Sequence, residues 1–232
     1  MPQNAMSRAI AWFKKQFGPQ ISVATKGTPF HLDFMTAIAL QETYEVWGRA
    51  YRSGKTPTEV LQLCVGDILD SDGGRDPKAF PQNRRVLEKA KGGRQMFKIA
   101  RKALEDMAQI ATEYKKYLKD KDKFCHAFGI FQYDIQAFKN DPDYFLKKEW
   151  GDLDKCVAKC LSELNTKWNK TYPKKKTLND TELVYVAIAY NQESANIKKG
   201  FKQGYKGKND PKYYGQYIDQ YMALSKKTKP ES

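Results

Sequence analysis

A chain of 232 residues can bury a substantial core, in one large domain or two small ones. Its composition, 29% charged and 13% aromatic, excludes a disordered chain, and no apolar run approaches the roughly 18 residues that a membrane span needs. The formal net charge of +14 implies an anionic partner or surface, whether nucleic acid, anionic lipid or a negatively charged wall polymer.

The positive residues are mostly lysine and crowd into PKKK at 173–176 and the tail from Lys198 to Lys229. Lysine serves long-range attraction better than bidentate reading of phosphate, which favours arginine. With no helix-turn-helix, zinc-finger or RNA-binding signature, sequence-specific nucleic-acid recognition is not expected. The N-terminal stretch MPQNAMSRAIAWFKKQFG has its apolar residues interrupted by Arg8, Lys14 and Lys15, so it holds no recognisable signal peptide. Either the chain is not exported by the usual route or a leader has been removed. Cys156 and Cys160 lie one helical turn apart, where a mutual disulfide has poor geometry, and no Cys/His spacing suggests zinc. Reduced thiols are expected, with a bridge through Cys64 or Cys125 as the alternative.

In chain order the pattern is mostly helical. Ile10, Phe13 and Phe17 predict a short amphipathic helix over 5–17, closed by Gly18-Pro19. From Leu32 to Thr43, LDFMTAIALQET is apolar on every side between Phe34 and Leu40 except at Thr36, the mark of a helix buried nearly all round. It is expected to stop on Gln41, Glu42 and Thr43. A carboxylate at the C-terminal end of a buried helix would face desolvation and the negative end of the macrodipole. Both effects would help it keep a proton near neutral pH, as a general acid must, so Glu42 is the first catalytic candidate; a solvated surface glutamate is the plainer alternative.

Thr56-Pro57 opens a further helix with Val60, Leu61, Leu63 and Cys64 on it. The segment 64–83, dense in Asp, Gly and Pro, reads as a structured loop. Its aspartates Asp67, Asp70, Asp72 and Asp76 lack the final glutamate of a calcium-binding hand. Between 83 and 118 a long helical stretch breaks near Gly92-Gly93, and Phe97, Ala100, Leu104, Met107, Ala111, Tyr114 and Leu118 mark its buried face. FCHAFGIFQYDIQAF, 124–138, reads as a turn or short strand presenting Gln132, Tyr133 and Asp134, with Asp134 as a cap in the plainer reading. A helix over 152–168 follows. Asn179 with Glu182 then forms a capping box for NDTELVYVAIAYN, a second helix apolar all round that ends on Tyr190, Asn191 and Gln192, and a last helix is predicted over 211–224.

AIALQET, FGIFQYD and AIAYNQ, in that order and followed by KYYGQYIDQYMAL, resemble the motifs of the goose-type lysozyme and soluble lytic transglycosylase superfamily. The resemblance covers about 31–46, 124–138 and 180–224; the segment from 48 to 122 replaces what is usually a short connection. It implies an all-helical (all-α), lysozyme-like single domain with 48–122 as an inserted helical lobe. By resemblance, Glu42 would protonate the glycosidic oxygen of a β-1,4-linked aminosugar polymer. Gln132 and Tyr133 would line the cleft, Tyr190 would orient the catalytic carboxyl, and Asn191 would hold an N-acetyl sugar. Asp134 matches the position of an aspartate in goose-type lysozymes that helps place water, which tilts the expectation toward hydrolysis over transglycosylation; Asp67 and Asp70 are rivals for the second carboxylate. An inverting hydrolase keeps its carboxyls roughly 6.5–9.5 Å apart to admit that water. Thr43 and Gln192 depart from the small residues usual in the family.

The expected function is cleavage of peptidoglycan glycan strands between N-acetylmuramic acid and N-acetylglucosamine, at a cell wall, by a monomer with no metal or organic cofactor. A proteinaceous inhibitor is a conceivable partner. Chitin cleavage is one alternative. A non-catalytic basic module that binds wall polymer or nucleic acid is another.

Overall fold

In the computed structural model, which describes residues 5–69 and 79–231, the elements run α1 (Ala5–Ala24), α2 (Leu32–Arg52), α3 (Pro57–Leu63), β1 (Val65–Leu69), α4 (Arg84–Glu88), α5 (Gly93–Ile110), β2 (Phe124–Phe128), β3 (Tyr133–Asp134), α6 (Pro142–Leu146), α7 (Leu153–Thr171), α8 (Asp180–Gln192) and α9 (Tyr214–Lys227). Short 3-10 helices lie at Thr112–Lys119, Ile135–Lys139, Glu149–Gly151 and Ile197–Lys199. Among the described residues the chain is mainly helical, 65% helix, with a small three-stranded antiparallel sheet in the order β1-β2-β3. That sheet corrects the all-α expectation. Its first strand lies in the segment read as a loop, where Val65, Ile68 and Leu69 are the only strand-forming residues ahead of the Asp-Gly run. Asp70, Asp72 and Asp76 lie outside the described residues.

Contacts divide the chain into two units, Met1–Glu42 with Val157–Ser232 (unit 1) and Thr43–Cys156 (unit 2). The whole 48–122 segment belongs to unit 2.

In unit 1, α1 runs through Gly18-Pro19 instead of ending there. Proline forfeits one backbone hydrogen bond. The buried face nevertheless continues in register, Ile10, Phe13, Phe17 and Ile21 all being buried, and that packing holds the helix beyond the proline. In α2 every residue from Phe34 to Leu40 is buried, and the one polar member, Thr36, returns its hydroxyl to the Leu32 carbonyl at 2.8 Å. The N-terminus of α2 is held by His31, whose Nδ1 accepts from the Phe34 N–H at 3.3 Å. In α8, Asn179 and Glu182 form the expected capping box, and Leu183 to Ala189 are buried without interruption. α8 packs on α9, and α9 on α1. Lys14 of α1 is buried and donates to the Ser225 and Thr228 carbonyls at 2.6 and 2.8 Å, satisfying the C-terminal end of α9, while pairing with Asp33 at 2.6 Å.

Unit 2 is built around the sheet. β1 and β2 pair Gly66 with Ala127 and Ile68 with Cys125; β2 and β3 pair Ala127 with Asp134. α5 packs on β2 and buries Met96, Phe97, Ala100, Leu104 and Met107, the face its period of three and four predicts. Phe128, Tyr144, Phe145 and Trp150 complete this core. Thr56 and Glu59 cap α3 reciprocally, with Pro57 in its first turn. The four cysteines are free and buried, Cys64, Cys125 and Cys156 in unit 2 and Cys160 in unit 1.

Candidate functional site

Glu42 is the eleventh residue of the 21-residue α2, not its last. The helix continues because the buried pattern narrows rather than stops: Thr43, Val46, Trp47 and Ala50 are buried at a spacing of three and four. Glu42 therefore lies outside the negative end of the helix macrodipole, which acts only on the last turn. The carboxyl is half-buried, and its Oε1 accepts a 2.6 Å hydrogen bond from the hydroxyl of Tyr214, in the first turn of α9. Tyr214 is itself 2% exposed.

Tyr190, near the end of α8, belongs to the same group. Burial, then the neighbouring Cys160, Glu42 and Tyr214, push its pKa well above the ordinary phenol value, and it hydrogen-bonds with Cys160. Burial and then the charge of Glu42 do the same to Tyr214. Both phenols consequently stay neutral at any pH near neutrality, and Tyr214 is a permanent donor to the carboxyl. Its hydrogen bond fixes one oxygen of Glu42 and hence the direction of the other. Unit 1 thus holds a carboxyl of set orientation beside neutral phenols, an arrangement able to give or receive a proton. Asn191 follows, half-buried, with its Oδ1 accepting from the Tyr205 N–H at 2.8 Å and so anchoring the chain after Gly204.

Unit 2 holds Gln132, Tyr133 and Asp134. The chain reverses between β2 and β3 in a tight turn: the Gln132 N–H donates to the Gly129 carbonyl at 2.9 Å, and the Gln132 side chain donates to the same oxygen at 2.8 Å. Gly129 has φ 86 and lies so close to Cys156 that an added Cβ would stand 2.7 Å from its sulfur, so glycine is required there. Gln132 itself takes the left-handed conformation, φ 57, a strain that non-glycine residues seldom accept. A Cβ on Gly66 would overlap the Gln132 Oε1, so the glycine of β1 makes the space for this amide. The half-buried Tyr133 stacks on Phe145, with ring centroids 5.6 Å apart. Asp134 does cap the Ile135–Lys139 turn, its Oδ1 accepting from the Gln136 N–H at 2.7 Å, and its Oδ2 lies 3.1 Å from His126 Nδ1.

The rival Asp67 is exposed in β1 with φ 42; its charge adds to burial in raising the pKa values of Tyr114, to about 12, and of Cys125. Among the described residues no three His, Cys, Asp or Glu side chains gather as a metal site.

Two participants were not singled out in the sequence. Tyr214 is one of five tail tyrosines, and local spacing does not separate it from Tyr213 or Tyr217. His126 precedes Ala127, the partner of Asp134, so only the pairing of β2 with β3 brings it beside that carboxylate. Comparison with protein-family models, with curated proteins and with solved structures returned no match.

Proposed function

We propose that this chain is a lysozyme-like glycosidase that cleaves β-1,4 bonds between N-acetylmuramic acid and N-acetylglucosamine in peptidoglycan, with Glu42 as the general acid. The observation that carries the reading is the hydrogen bond from buried Tyr214 to the half-buried Glu42, at the point where the all-round apolar part of α2 ends. A carboxyl aimed by a neutral donor is suited to protonate a leaving oxygen. In this reading Tyr214 is the orienting phenol beside Tyr190, rather than Tyr190 alone. Asn191, whose Oδ1 is engaged, would offer its amide N–H to the N-acetyl group. Gln132 and Tyr133 would contact sugar, and Asp134 would serve the attacking water. The charge of +14 supports an anionic wall as the target.

The test is mass spectrometry of purified murein treated with wild type and with Glu42→Gln. Wild type is expected to release muropeptides with reducing ends, and the variant to be slower by roughly 10²–10⁴-fold. Equal digestion by the two proteins refutes the reading. Retention on murein without cleavage, weakened steeply by salt, would instead favour the basic binding module, and cleavage of chitin oligomers alone would move the substrate to chitin.

A further inference from the structure

A cavity of about 360 Å³ opens in unit 2 between α3, α5 and the lip that leads into the Glu149–Gly151 3-10 helix. Its apolar wall follows from helix periodicity. α5 turns Met96, Ala100, Leu104 and Met107 into the core, and the adjoining stripe, Ile99, Ala103 and Ile110, lines the cavity together with Leu63 of α3. These four are half-buried, so aliphatic surface is left facing water in a concave place. Five charged side chains stand around it, and four of them cancel: Lys55 pairs with Glu59 at 2.9 Å, and Lys102 with Asp106. The second Glu59 oxygen is taken by the Thr56 N–H and hydroxyl. Lys148 is the cation left over, and neither it nor the side-chain amides of Gln62 and Gln109, which also line the cavity, has a side-chain partner among the described residues. The lip is fastened. The Lys148 N–H donates to the Phe145 carbonyl at 3.1 Å, and the indole N–H of buried Trp150 donates to the Gln62 carbonyl at 3.2 Å, which ties the lip to the end of α3. Lys148 has φ 54, so a lysine stands in a left-handed conformation that glycine would take without strain.

We propose that this cavity binds a small amphipathic carboxylate, its single ring or short acyl body against Leu63, Ile99, Ala103 and Ile110 and its carboxylate on Lys148. The charge balance selects the ligand. A cationic ligand would find both acids already neutralised, and an uncharged one would leave Lys148 unused. A dianionic phosphate would need a second uncommitted cation, which the cavity does not offer. A monoanion matches the one that is there, and the two glutamine amides can donate to its oxygens. Removing the aliphatic wall from water supplies most of the affinity, while the ammonium sets which end of the ligand faces out. The cavity lies wholly in unit 2 and uses none of the residues assigned to sugar cleavage, so the inference goes beyond the glycosidase reading and stands or falls without it.

The test is titration of the full chain with 3-phenylpropanoate, followed by calorimetry and by the methyl NMR signals of Ile99 and Ile110. Saturable binding with a Kd of roughly 1 mM or below is expected, with both methyl signals shifting along the same isotherm. The neutral analogue 3-phenylpropanamide should bind about 10-fold more weakly, and Lys148→Gln should weaken the carboxylate by about the same factor while leaving the amide unchanged. Ala103→Leu, which places a branched side chain in the cavity, should abolish binding of both compounds, and thermal melts check that each variant is folded. Should Ala103→Leu fail to fold, the methyl shifts and Lys148→Gln still decide the site. No saturation by roughly 10 mM overturns the proposal, as does binding that leaves the Ile99 and Ile110 signals still or survives unchanged in folded Ala103→Leu. Equal affinity for the carboxylate and the amide, or for the carboxylate in wild type and Lys148→Gln, removes the role of Lys148 and with it the ligand class. Tighter binding of 2-phenylethyl phosphate than of 3-phenylpropanoate overturns the choice of a monoanion.

Discussion

Replacing Tyr214 with phenylalanine removes one oxygen and leaves the ring in place. Tyr214 is 2% exposed, so the ring packing that seats α9 is kept and only the 2.6 Å bond to Glu42 Oε1 is lost. A hydrogen bond to a charged group contributes roughly 1.5–3 kcal/mol. Under the function proposed above, the lost bond aims the carboxyl that donates the proton, so the deficit should fall on kcat, at about 10- to 100-fold, with KM close to wild type. Reducing-end release from purified murein gives both constants, and a thermal melt run in parallel confirms that the fold survives. Tyr190→Phe, whose hydroxyl bonds with Cys160, should lose less. A Tyr214→Phe variant as fast as wild type, or a larger loss in Tyr190→Phe, refutes the orienting role given to Tyr214.

Lys14→Met leaves Asp33 with the Ser225 hydroxyl in place of its cation and takes the donor from two carbonyls at the end of α9; breaking a buried pair costs about 3 kcal/mol, toward the low side because Asp33 is 25% exposed and keeps that hydroxyl, and should lower Tm by roughly 6–12 °C. Gly66→Ala should displace the Gln132 side chain from the Gly129 carbonyl and cost about 1 kcal/mol, read as a lower urea midpoint with unchanged m. Burial, then Lys226, lower the pKa of His31 from its ordinary 6.5, so the unfolded chain binds the proton first; the contribution of His31 to stability is full above about pH 6.5 and shrinks as pH falls from there. Lys226, above all, holds Asp180 below its ordinary 3.8, so its contribution is present above that value and is lost as pH falls through the folded-state pKa. Melting temperature between pH 7 and 5 should therefore decline in wild type and decline less in His31→Asn, which keeps an N-cap acceptor without titrating; identical slopes would remove His31 from the account.

Much of the helical order was legible because the signals are local. Thr56-Pro57 with Glu59, and Asn179 with Glu182, cap their helices as those residue types do in short peptides. The buried face of α5 could be read from its spacing alone. What escaped depends on distant packing. Nothing near Pro19 announces that α1 continues past it, since the reason lies in what Ile21 meets. α2 runs past the end of its apolar stretch because an all-round apolar helix becomes a one-faced one at Thr43, which resembles a stop when only average polarity is followed. β1 was hidden by Asp67, whose left-handed backbone belongs to a turn by propensity and to a strand only through its partners. At the candidate site, Glu42, Gln132, Tyr190 and Asn191 were named from motifs. Tyr214 meets Glu42 and His126 meets Asp134 across chain separations of 172 and 8 residues, which no local pattern encodes.

Unit 1 draws its parts from Met1–Glu42 and Val157–Ser232, whereas unit 2 is one unbroken run. On the ribosome, Thr43–Cys156 can therefore settle while translation is still under way, but Glu42 has no Tyr214 to receive until α9 emerges. The carboxyl acquires its donor only after α9 has been made, and a nascent chain halted before residue 214 should carry the sheet without the Glu42–Tyr214 bond.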